Sequence, residues 1–140
     1  MAMTNDANKM VAMVLGAVLV LIGILGFVPA LVPGGLLLGI LGVNALHNVI
    51  HLLTGAILLG AAYMNEGRNA RLTNMVLGGV YLLVALVGFA APGFMNGLVA
   101  SQEVAMNPAS IIHLLLGVVL LGVAFMQRTE AGGPTMRQGV

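Results

Sequence analysis

The sequence predicts an all-α fold, a four-transmembrane-helix bundle built from a duplicated two-helix hairpin. Three observations predict it. The chain of 140 residues is 60% hydrophobic and only 6% charged, against about 25% charged residues in soluble domains, so it has too little polar surface to face water on all sides. Four uncharged runs are long enough to cross a bilayer at about 1.5 Å per helical residue. A self-match at an offset of 62, as from His51 to His113, joins the first half to the second. Val14-Leu15-Gly16 falls on Val76-Leu77-Gly78, Gly26-Phe27 on Gly88-Phe89, and Leu58-Leu59-Gly60 on Leu120-Leu121-Gly122. Each unit holds two spans, so the copies share one orientation and a pseudo-twofold axis along the membrane normal. Residues 1–140 form a single transmembrane domain, with repeats over 10–64 and 72–126 and a polar C-terminal tail at 127–140.

The first span is expected from Met10 to Val28, after a polar start ending in Lys9. One Lys before an apolar run also has the look of a secretory signal, but the internal copy marks this run as a retained span. Residues 29–43 carry Pro29, Pro33, Gly34, Gly35, Gly39 and Gly42 among Leu, Ile and Val. Such a stretch breaks helix without turning polar, and it is expected to lie at the interface or fold back as a short helix. The second helix is expected from Ala45 to Met64, with the side chain of Asn44 as N-cap. A short charged link, residues 65–71, leads to a third helix from Thr73 to Ala91. A weakly polar segment follows to Met106. The fourth helix opens with Asn107 as N-cap and Pro108 at its first position, where a missing N–H costs nothing, and runs to Met126.

All five basic residues, Lys9, Arg68, Arg71, Arg128 and Arg137, fall in the N-terminus, the middle link or the tail. By the positive-inside rule both termini are cytoplasmic, and the apolar loops face the other side. Many of the 20 glycines lie within or at the ends of spans. In lipid, helices associate by close backbone approach rather than by the hydrophobic effect, so these glycines predict tight helix packing. Phe27, Phe89, Tyr63 and Phe125 sit at span ends as interfacial anchors. A net charge of +1 with no run of like charges excludes nucleic acid as a partner, and the absence of cysteine excludes disulfides and thiolate chemistry.

The candidate site is a polar cluster: Asn44, His47, Asn48 and His51 in the first repeat, and Asn107, Ser110 and His113 in the second. His47 and His51 are four residues apart and share a helix face. The repeat carries His51 onto His113, while Ala109 stands where His47 would be. Placed near helix N-termini in a low dielectric, the imidazoles are expected to be neutral. Three readings compete. Neutral histidines beside Asn and Ser can be interhelical hydrogen-bond glue. His51 and His113, with His47, can bind a cofactor, as axial ligands of a haem or as a single ligand to a chlorophyll-type pigment. His47, His51 and His113 can also give three nitrogens to zinc or copper, but nothing in the sequence supplies a fourth ligand, and no metal site is assigned. The ten methionines form no stripe beside the histidines beyond Met95 and Met106, thin support for a copper–thioether site. A proton or ion path lacks any Asp or Glu within a span, and below His51 only Thr54 continues it.

The run Asn44-x-x-His47-Asn48-x-x-His51-Leu52, with its degenerate copy before His113-Leu114-Leu115, resembles a bacterial family of small four-helix membrane proteins classed as a domain of unknown function. The similarity covers about Val11 to Met126. Family members carry an Asp-Asn pair near the place of Ala109 and Ser110, so an acidic role at the second copy is not implied here. The resemblance implies the topology and a bacterial inner or photosynthetic membrane, and no activity. The function expected is that of a non-enzymatic integral membrane protein, a small structural or accessory subunit in a homo-oligomer or a larger membrane complex. A histidine-ligated haem, chlorophyll or metal protein is the alternative, and a small channel or transporter subunit the third reading.

Overall fold

The computed structural model describes residues 2–100 and 108–126, with side chains from residue 7 onward. Helix α1 spans Ala2–Leu25, α2 Ala45–Tyr63, α3 Ala70–Ala90 and α5 Pro108–Met126, with a short α4 at Pro92–Val99 between the last two. Four of the five are long and apolar enough to cross a membrane, so this is a multi-pass integral membrane protein. Several features differ from expectation, among them the end of α1 at Leu25 rather than Val28. Helix α1 extends back through the polar start to Ala2, because polar residues can continue a helix beyond the bilayer. Helix α3 begins at Ala70, inside the charged link. Residues 29–43 do not fold back as a short α-helix. They make two 3-10 turns, Pro29–Leu31 and Pro33–Gly35, and a minimal antiparallel pair, β1 (Leu36–Leu37) with β2 (Leu41–Gly42). Leu38 and Gly39, at φ 53° and 75°, reverse the chain between the two strands. The expected cap at Asn107 lies outside the described residues.

Helix α1 packs chiefly along α2, and α3 along α5, which makes two hairpins. Lesser contacts of α1 with α3 and α5, and of α2 with α3, join them. The buried stripe of α2 is His47, Asn48, His51, Gly55, Leu58 and Ala62. On α5, Ala109, Ser110, His113, Gly117, Leu120 and Ala124 are buried, each 62 residues further along. Glycine contacts recur in the same register. A Cβ on Gly55 would meet the Gly16 carbonyl oxygen at 2.7 Å and the Val20 amide nitrogen at 2.8 Å, and one on Gly117 would meet the Leu82 amide nitrogen at 2.9 Å. These helices touch backbone to backbone, as packing in lipid requires.

At the end opposite the histidines, the α1 and α3 side chains Asn8 and Asn74 are fully buried. The Asn74 amide donates to the Asn8 backbone oxygen at 3.0 Å and to its side-chain oxygen at 2.9 Å. The Asn8 amide donates to the Val123 carbonyl of α5 at 3.4 Å, and Arg71 Nε donates to the Ala124 carbonyl at 3.0 Å. This amide cluster ties the two hairpins together. The anchors Phe27, Phe89, Tyr63 and Phe125 are all exposed at span ends.

Candidate functional site

The site is built at the start of α2. Asn44, in extended conformation, caps the helix by accepting the His47 backbone N–H at 2.9 Å. Its side-chain amide donates to the Leu98 carbonyl at 3.0 Å, and so grips α4 as well. His47 lies next to that contact. Its Nδ1 is 3.1 Å from the Val99 carbonyl oxygen, and the Gly42 carbonyl is also directed at the ring. A carbonyl can only accept, so Nδ1 carries the proton of the neutral ring and Nε2 carries the lone pair. That Nε2 is buried, with no hydrogen-bond partner among the described residues.

One turn further on, the His51 ring meets the His47 ring edge-on, with centroids 4.4 Å apart and planes at 83°. His51 Nε2 is likewise buried and without a partner among the described residues. His113 arrives from α5, its ring centroid 5.7 Å from that of His47 and 5.9 Å from that of His51. All three side chains are buried, and each offers a ring nitrogen such that the three lie within 4.8 Å of one another. Around a metal bonded at 2.0–2.1 Å, such nitrogens stand about 3.3 Å apart, so modest side-chain rotation closes the set on one ion.

Below the rings is a cavity of about 190 Å³, lined by the three histidines, Thr54, Tyr81 and Met95 together with aliphatic side chains. The Tyr81 ring flanks His113 at 5.5 Å. The Tyr81 hydroxyl is 2.9 Å from Thr54 Oγ1, which itself donates to the Ile50 carbonyl at 2.8 Å. With the threonine proton so committed, tyrosine donates to threonine.

The polar cluster expected from the sequence divides on folding. His47, His51 and His113 converge. Asn48 and Ser110 are buried but packed onto glycines, Asn48 against Gly26 and Ser110 against Gly88, where a Cβ would overlap their side chains. Asn44 acts as cap and as clamp on α4, while Asn107 lies outside the described residues. Tyr81 and the Val99 carbonyl belong to the site without having been singled out. Tyr81, the only aromatic residue in the middle of a span, was the available signal. The His51 and His113 ring centroids are 5.9 Å apart, with the His47 ring beside both.

Residues 9–126 match the model of a family described as a domain of unknown function (DUF4383). No curated protein and no solved structure matches the chain.

Proposed function

We infer that this chain, which belongs to the DUF4383 family, is a small integral membrane protein that binds a transition-metal ion through His47, His51 and His113. The observation that carries the reading is the convergence of three buried imidazoles, two of them with Nε2 atoms that have no partner among the described residues. Hydrogen-bond glue would leave those nitrogens satisfied, since a buried acceptor without a partner costs about 1–3 kcal/mol. A metal uses the same lone pairs. The bond from His47 Nδ1 to the Val99 carbonyl is the arrangement that orients a metal-bound histidine through its other nitrogen.

Two expectations extend this reading. The positive-inside pattern supports a site near the non-cytoplasmic face of a bacterial membrane, with both termini inside. The recurrence of burial and glycine contacts at an offset of 62, as between Gly55 and Gly117, supports descent from a duplicated hairpin. The accessory-subunit role stands beside them as a proposal, supported by apolar faces suited to lipid or to a larger membrane assembly.

Elemental analysis of protein purified without chelators tests the metal directly, and native mass spectrometry of the same material reports any subunit that travels with it. The wild type is expected to carry about one equivalent of metal, and His51→Ala or His113→Ala to lose most of it while circular dichroism stays helical. A wild type that holds no metal, and gains no thermal stability when metals are added, sinks the reading.

A further inference from the structure

We propose that the ion held at this site is copper(I), with the thioether of Met95 as its fourth ligand. The proposal rests on the three-histidine reading above and goes on to name the metal.

Position comes first. Met95 and Val99 are four residues apart on α4 and therefore share a face. Val99 is buried and lines the cavity, and its carbonyl oxygen is bonded to His47. Met95 lines the same cavity as His47, His51 and His113. Among the residues that line the cavity it alone carries sulfur.

Donor chemistry comes second. Thioether sulfur is soft and selects copper(I), and imidazole accepts copper readily, whereas zinc sites favour thiolate, imidazole, carboxylate or water. The chain has no cysteine.

Charge decides between the two metals. The residues lining the cavity include no Asp or Glu, and of the described carboxylates Glu66 lies in the turn at the far end of α2. Three imidazoles and a thioether are neutral ligands, so the complex keeps the full charge of its ion. The self-energy of a buried charge grows as its square, which makes a divalent ion about four times as costly here as a monovalent one. Zinc would also bring a water into the open position. The two hydroxyls that line this apolar cavity, Tyr81 and Thr54, are already bonded to each other.

The test uses full-length protein in detergent under anaerobic, reducing conditions. Copper(I) is competed against the chelator bicinchoninate, zinc(II) against a chromophoric zinc chelator, and copper K-edge absorption reads the ligands. Met95→Leu keeps the volume and tests the thioether; Glu103→Gln tests a carboxylate from residues 101–107, outside the described part. The wild type should take up one copper(I) and show a sulfur neighbour. Met95→Leu should weaken copper(I) binding at least about tenfold, remove the sulfur signal and leave zinc(II) affinity unchanged. Three outcomes overturn the proposal: tighter zinc(II) than copper(I), a Met95→Leu protein that matches the wild type, or a loss of binding in Glu103→Gln instead. Wild-type protein that binds neither ion overturns the three-histidine reading itself, whereas tight zinc(II) binding without copper(I) leaves that reading standing and removes only copper.

Discussion

Gly55 sits one helical turn from His51 and sets how deeply that ring is held between helices. Its Cα faces backbone atoms of α1, and a methyl group there would meet the Gly16 oxygen and the Val20 nitrogen at 2.7–2.8 Å. Backbone cannot swing aside as a side chain can. Gly55→Ala is therefore expected to destabilise the protein by about 1–3 kcal/mol, read as a lower midpoint of thermal unfolding in detergent. Gly79 is the control, because a Cβ there meets nothing within 4 Å. Gly79→Ala should leave stability unchanged or raise it by up to about 1 kcal/mol. At this scale the sequence was a partial guide. The equivalence of His51 and His113 was legible in the repeat, and the stripe His47–His51–Gly55 in the helical period. The directions of Asn48 and Ser110 were not, because which side of a helix start faces Gly26 or Gly88 depends on how two helices cross, and no residue encodes that alone.

Among the elements, α4 governs the site although it crosses no membrane. Eight residues long, it touches the start of α2 through Asn44 to Leu98 and His47 to Val99. Asn44 makes two bonds with one side chain, capping α2 and holding α4. Asn44→Ala is expected to cost about 1 kcal/mol for the cap alone. It should also loosen α4, seen as faster amide hydrogen exchange over residues 92–99 than over the body of α2. The four spans were legible because apolar runs near 20 residues are a local property, as is the cap at Asn44. Residues 29–43 and 92–99 were not. Both are apolar and rich in Gly and Pro, and only tertiary contact made one a minimal hairpin and the other a helix.

Across the molecule, the described basic residues Lys9, Arg68 and Arg71 gather at one end of the bundle and the histidines at the other. A fluorescent protein fused after Val140 should fluoresce, and alkaline phosphatase fused there should be inactive. The reverse pattern would place the site on the cytoplasmic side and refute the positive-inside assignment. The gathering of basic residues was legible because charges near spans can be counted. The amide cluster was not, because Asn8 and Asn74 stand 66 residues apart and nothing local announces that they meet. That cluster bears on the histidines. Asn8 and Asn74 join the hairpins at one end by bonds the protein makes unaided, while at the other end His47 and His51 belong to one hairpin and His113 to the other. That end is bonded across the hairpins as well, by Asn44 to Leu98, His47 to Val99 and Thr54 to Tyr81, so the three rings lie between two fastened ends and the fold itself sets their spacing.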